Sequence, residues 1–299
     1  MKKYIGVDIG GTYSRFGVVT PDGEIECMIK IPSGGENSLT PQTLASTILQ
    51  LIKDRSVSGV GIGVPGVVLP NGKITLTTNL EQLEGIELKG YLEQILQIPV
   101  CVENDGNAAG LAEALLGAGR GRDLVYYATI STGIGGAFIR KGEIYHGKSG
   151  FAGEIGSMIV QLSGKTYRGL YPGMVEGIAG GEALRALAGE RMGTDFSDAG
   201  EVFRSAREGN REARCLIDQM EWALAAMFSN LTYTIDPDVF ILGGGCMKAG
   251  DDFLGEVLKR YQEMVPYEEA RALFLKAELE EPGVLGAGMA AARMLAEQD

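Results

Sequence analysis

Residues 4–19 read YIGVDIGGTYSRFGVV, and residues 125–139 read VYYATISTGIGGAFI. Each is an apolar run, a polar and glycine-rich turn, then a second apolar run, which is the pattern of a β-hairpin. One such hairpin near the start and another near the middle mark a duplicated α/β pattern. The first hairpin leads to a strand over Glu24–Ile31, a helix over Pro41–Lys53, a buried strand over Val57–Val64, a helix over Leu88–Leu96 and a strand ending at Val102. The second leads to helices over Gly181–Arg191, Asp198–Glu208 and Arg211–Ile235, then to an apolar strand, Val239–Leu242. The expected fold is therefore α/β and two-lobed, with both glycine-rich turns facing one interlobe cleft. The first lobe spans about residues 1–118 together with the C-terminal segment 286–299, whose helix is read as Gly286–Glu297. The second lobe spans 119–285.

The 299 residues suffice for two sizeable cores, and 45% hydrophobic with 22% charged residues is ordinary for a globular chain. Glycine is not ordinary: 45 residues is about twice the usual share, and they cluster where apolar runs end. A net charge of −12 argues against a nucleic-acid surface, which needs excess Lys and Arg. It leaves nucleotide binding open, because backbone N–H groups and a metal ion can replace basic side chains. Cys27, Cys101, Cys215 and Cys246 are scattered and read as reduced core thiols. No signal-peptide pattern or transmembrane run is visible, so the expected location is the cytoplasm, away from membranes.

Three turns and one strand end carry chemistry. In DIGGT (8–12), Gly10, Gly11 and Thr12 offer backbone N–H groups to an anion, while Asp8 suits a metal-bound water. The same letters also make an ordinary hairpin turn. The matching turn Ser131–Gly136 shifts the balance towards a pair of phosphate-binding hairpins. Neither is a P-loop, because no Gly-Lys-Ser or Gly-Lys-Thr follows a strand, and neither opens a helix as a dinucleotide-binding fingerprint does. Gly243–Gly245 reads either as a strand-to-helix turn or as a bare surface for a nucleoside. In VCVENDGNAAG (100–110) an apolar strand delivers Glu103, Asn104 and Asp105 to its own end. Asp105 is a candidate general base, and it is also a candidate N-cap for a helix starting near Gly106. Glu154 and Glu176 lie among small and apolar residues, where a carboxylate needs polar partners such as the hydroxyls of a sugar.

In order along the chain, Asp8–Thr12, Val64-Pro65-Gly66, Asn79-Leu80, Glu103–Ala109, Thr132–Gly136, Gly153–Gly156, Glu176, Gly243–Gly245 and Gly286-Ala287 resemble the ROK family of repressors, open reading frames and sugar kinases. The resemblance spans essentially the whole chain and implies the ribonuclease-H-like, actin-like ATPase fold. It further implies ATP-dependent phosphorylation of a sugar hydroxyl, commonly the six-hydroxyl, with Asp105 as the base. By the same resemblance Gly66, Asn79, Asn104, Asp105, Glu154 and Glu176 hold the sugar. Gly10, Gly11, Thr12, Thr132, Gly133 and Gly135 cradle the phosphates of ATP, Gly180, Gly181 and Gly244 flank the adenosine, and Asp8 helps position Mg²⁺. A homodimer is implied by analogy alone.

The chain departs from the family at one informative place. Many members carry His after Glu-Ile-Gly and a cysteine-rich loop that together bind a structural zinc. Here the His position is Ser157 and the loop Ser163–Gly173 holds no Cys or His, so no zinc is expected. Ser157 is shorter than His, which opens the sugar specificity to another hexose, an N-acetylhexosamine or a β-glucoside. His146, the one histidine, reads as structural, and no helix-turn-helix precedes Asp8. The competing reading is a non-catalytic sugar sensor on the same fold, which would need neither Asp105 nor both hairpins.

Overall fold

A computed structural model describes residues 2–34, 39–53, 55–75, 83–162, 167 and 169–297. Its elements run β1 (Lys3–Ile9), β2 (Tyr13–Val19), β3 (Ile25–Pro32), α1 (Pro41–Ile52), β4 (Val57–Val64), β5 (Val67–Val68), β6 (Ile74–Thr75), α2 (Leu88–Leu96), β7 (Val100–Asn104) and α3 (Asp105–Leu115). There follow β8 (Leu124–Ile130), β9 (Ile134–Arg140), β10 (Glu143–Ile144), α4 (Val175–Ala179), α5 (Gly181–Met192), α6 (Ala199–Arg207), α7 (Arg211–Ile235), β11 (Val239–Gly243), α8 (Asp251–Met264), β12 (Leu273–Lys276) and α9 (Pro282–Ala296).

The duplication is visible in the sheets. The first has the order β3-β2-β1-β4-β7 and the second β10-β9-β8-β11-β12, so both are 3-2-1-4-5 in their own numbering. In each, the fourth strand lies parallel to the first and to the fifth. By contacts the chain forms two compact units, one of Met1–Asp123, Ala137–Ala152 and Glu278–Asp299, the other of Leu124–Gly136 and Gly153–Ala277. The division runs through β9.

In the first unit, β4 reads VSGVGIGV and shows why the sheet is covered on both faces. Alternation along a strand sends Val60, Ile62 and Val64 to one face, where they join Leu44, Ile48 and Leu51 of α1 and Leu88, Leu92 and Leu96 of α2 in a core. Gly59, Gly61 and Gly63 fall on the other face, against α9 and α3. A Cβ on Gly61 would overlap the Ala287 carbonyl of α9, and one on Gly286 of α9 would overlap the Ala108 carbonyl of α3. Helix α9 starts at Pro282, a turn earlier than the sequence suggests, because proline suits the first helical position. Strand β7 likewise runs two residues beyond Val102, so Glu103 and Asn104 belong to the strand itself.

Glu113 of α3 is fully buried. Its Oε1 accepts the N–H groups of Glu278 (3.0 Å) and Leu279 (2.9 Å), and its Oε2 that of Ala118 (3.1 Å). Glu113→Ala strands three donors and should lower stability by about 1–3 kcal/mol, read as a lower denaturant midpoint with unchanged slope. A wild-type midpoint would show those N–H groups satisfied elsewhere.

In the second unit, α7 and α8 pack over an aromatic cluster in which the Phe240 ring lies 4.9 Å from Phe228 and 5.0 Å from Phe274. Cys215, on α7, is exposed, so the expectation of a core thiol fails there; Cys246 is buried and Cys27 and Cys101 are half-buried. Among the described residues no helix is long and apolar enough to cross a membrane.

Candidate active site

Strand register gathers the first group of residues. Asp8 of β1 lies opposite Gly63 of β4, and Gly63 lies opposite Glu103 of β7. Three parallel strands therefore end together, and Asp8, Gly10, Gly11, Thr12, Gly66, Asn104 and Asp105 all sit at or just beyond their carboxyl ends. Ligands of open α/β sheets bind at that edge. Gly66 has φ +109°, a conformation that a side chain would strain. Its carbonyl accepts from Asn104 Nδ2 at 2.9 Å.

The helix N-cap is Asn104, whose Oδ1 accepts the Asn107 N–H at 2.9 Å. Asp105 is instead the first residue of α3, with its Oδ1 accepting the Gly106 N–H at 2.8 Å. The two readings of Asp105 are thus separated: capping falls to its neighbour. Its carboxylate sits in the first turn of a helix, where the dipole favours negative charge. Asp8 backs onto α9, where a Cβ on Gly283 would come 2.6 Å from its carboxyl carbon. Burial pushes the Asp8 carboxyl above its ordinary range, opposed by Arg15, whose Nη1 lies 3.6 Å away, and assisted by Glu281.

The second group assembles in the other unit, around the turn between β8 and β9. Glu176 of α4 accepts the Ile134 N–H at 2.8 Å. A Cβ on Gly133 would lie 2.6 Å from that same Oε2, so glycine is needed for the turn to meet the carboxylate. The Gly181 N–H donates to Ser131 O (2.8 Å) and the Glu182 N–H to Thr132 O (3.0 Å), tying the start of α5 to this turn. Gly180 is the N-cap residue of α5, and Gly135 continues into β9. Gly244, with φ +92°, lies over the Ile130 backbone. A cavity of about 460 Å³ opens here, lined among others by Thr132, Gly181, Gly245, Phe203, Arg207 and Lys248. It offers bare backbone, the cations Arg207 and Lys248, the carboxylates Glu182 and Asp198, and an edge of the largely buried Phe203. Sequence reasoning missed Phe203, Arg207 and Lys248, because α6 and the turn after β11 look like ordinary surface until the chain is folded.

Glu154 is solvent-accessible, yet burial among protein atoms, and after it the charge on Glu176, push its carboxyl above the ordinary value of 4.5. A carboxyl raised in the folded state keeps its proton longer there than in the unfolded chain. Its contribution to stability is therefore complete below 4.5 and is lost as pH rises through the raised midpoint. Glu154→Gln should flatten that part of the stability–pH curve in denaturation series above pH 4.5; an unchanged slope would remove Glu154 as its source.

Asn79 and most of the loop 163–168 lie outside the described residues. Ser157 ends a short 3₁₀ turn, Ile155–Ser157, and is exposed. Among the described residues no group of three or more His, Cys, Asp or Glu is placed to hold a metal ion.

Two sheets of the same 3-2-1-4-5 order, with glycine turns and carboxylates at their strand ends, define the actin-like ATPase fold. The chain belongs to the ROK family, whose pattern matches residues 4–294. A glucokinase from Thermotoga maritima is 29% identical over 95% of this chain and 96% of its own length. A ROK hexokinase structure from Thermus thermophilus aligns with TM-score 0.90 and 29% identity, covering 99% of both chains. A ROK glucokinase from Streptomyces griseus, solved with glucose and AMPPNP, aligns with TM-score 0.77 and 30% identity over 97% of this chain and 99% of that one.

Proposed function

We propose that the chain is an ATP-dependent sugar kinase that phosphorylates a hydroxyl, in the first instance the six-hydroxyl, of a hexose or hexose-derived sugar. The observation that carries this reading is the head of α3. Asp105 follows an N-cap tied to Gly66, at the carboxyl ends of parallel strands, with its helix start already satisfied. Asp105 takes the proton of the sugar hydroxyl as its oxygen bonds to the γ-phosphorus and the bond to the bridging oxygen breaks, releasing ADP. Asn79, Asn104, Glu154 and Glu176, with the Gly66 backbone, hold sugar hydroxyls. The turns at Gly10–Thr12 and Thr132–Gly135 cradle phosphates, and Gly180, Gly181 and Gly244 border the nucleoside. The 460 Å³ cavity beside the second turn suits a nucleoside, with bare backbone at Thr132, Gly181 and Gly245 and side chains of both charges on its wall.

The residues at Asp8 fit a magnesium ion. Asp8 and Glu281 are a sparse oxygen set that Arg15 also pairs with (3.6 and 3.3 Å), so the ion would be held through Asp8 by way of waters, with its remaining ligands from substrate phosphates. When bound, the ion supplies charge neutralisation at the β- and γ-phosphates.

Release of ADP measured over hexoses, N-acetylhexosamines and β-glucosides tests the reading. Turnover with one of these classes is expected, whereas sugar binding without ADP release from any of them would favour the sensor reading. The zinc-less loop is part of the proposal: metal analysis of the purified chain should give far less than one zinc per chain, and a stoichiometric zinc would overturn it.

A further inference from the structure

Glu103 is the last residue but one of β7, two residues before Asp105, its side chain 10% exposed. Its Oε1 accepts the Asn104 N–H (2.8 Å) and an Asn107 Nδ2–H (2.9 Å), and its Oε2 faces His146 Nε2 at 2.5 Å. Asn104 and Asn107 are the two residues that make the α3 cap. One carboxylate therefore grips both ends of the capping turn that carries Asp105, and one imidazole grips the carboxylate. His146 comes from the segment after β10, 43 residues away in sequence.

A carboxylate this deeply placed needs a partner for each oxygen and a countercharge. The turn satisfies Oε1, and His146 can supply both needs at Oε2. The hydrogen bond to Glu103 pushes His146 above its ordinary value, against the effect of burial, so the pairing favours the protonated ring. His146 is half exposed on the wall of a cavity of about 860 Å³, on which neither Asn104 nor Asp105 lies. The other charged groups of that wall are Glu87, Lys89, Glu93, Glu143, Lys148, Arg293 and Glu297. Carboxylates and cations are mixed among them, which leaves Glu103 as the partner that decides the charge on the ring.

We propose that Glu103 and His146 form a charge-paired positioning couple that touches no substrate and fixes the β7–α3 turn, so that Asp105 and Asn104 keep their places. What the turn does rests on the kinase reading; the couple itself does not. An unpaired Glu103 would also leave a carboxylate two residues from the base without the partner that His146 supplies.

The chain has a single histidine, so its imidazole signals can be followed by NMR without assignment. Wild-type His146 should titrate above 6.5, and Glu103→Gln should move it back towards that value. In kinetics, His146→Ala should lower kcat on the order of 10- to 100-fold, as small misplacements of a base do, with KM for ATP unchanged. His146→Arg keeps a cationic donor and should restore most of the loss, whereas His146→Gln, a neutral donor, should restore less. A histidine signal that titrates at 6.5 and ignores Glu103→Gln would overturn the couple. So would a His146→Ala enzyme with wild-type kcat and sugar KM. If Glu103→Gln does not fold, the His146 variants, made at a half-exposed side chain, carry the test. A wild-type chain that phosphorylates no sugar would sink the kinase reading, while the NMR titration would still decide the couple.

Discussion

Asp105→Asn is expected to keep its fold and to lose on the order of 10²–10⁴-fold in kcat, the usual worth of a positioned base. The fold survives because Asn104, not Asp105, caps α3, and because an Asn oxygen can still accept the Gly106 N–H. At the helix start the substitution gives up a charge–dipole interaction of about 0.3–1 kcal/mol. The loss therefore falls on chemistry: an amide cannot take the proton of the attacking hydroxyl. KM for ATP should be unchanged, and sugar binding by calorimetry should persist. Near-normal turnover would remove Asp105 as the base. Asn104→Ala should behave differently, because it removes the cap and the bond to Gly66 together, weakening both stability and sugar affinity.

Gly286→Ala should be the most damaging small change in the first unit. Its Cβ would overlap the Ala108 carbonyl, and backbone cannot step aside as the end of a flexible side chain can. Relief requires α9 to move off α3, while a Cβ on Gly6 or Gly61 would meet backbone of the same helix, at the carbonyls of Val284 and Ala287. Overpacking of this kind costs about 1–3 kcal/mol and occasionally more, and with no give on either side the upper end applies. That corresponds to a fall of about 5 °C in Tm for a chain of this size. Activity should fall as well, since Ala108 lies one turn from Asp105 on α3. A variant that melts with the wild type would mean that the α3–α9 contact is looser than the backbone distances require.

Local patterns were the legible part of this chain. Both hairpins declare themselves because strand, turn and strand are consecutive, and repetition of that pattern carries the duplication. The ordered motifs carry the family. What escaped depends on residues that meet only after folding. Gly6 and Gly61 are two unremarked glycines until α9 crosses the sheet, and Gly286, legible as a family motif, shows its packing role only then. Glu176 reads as a sugar acceptor, but its bond to the Ile134 N–H, 42 residues away, makes it a support of the β8–β9 turn too. His146 reads as structural on neighbouring letters, and Glu103 as one of three polar groups at a strand end, without either pointing to the other. Strand β12, LFLK, is four residues at a sheet edge with little burial, too weak a pattern to stand out.

The central claim is transfer of a phosphoryl group to a sugar hydroxyl. Its most direct test is ³¹P NMR of the purified chain with Mg·ATP and the sugar that gives the fastest ADP release. The account predicts a sugar phosphomonoester resonance growing in step with ADP, and its near disappearance in Asp105→Asn. Inorganic phosphate in place of the ester, or intact ATP beside a sugar that demonstrably binds, would contradict it.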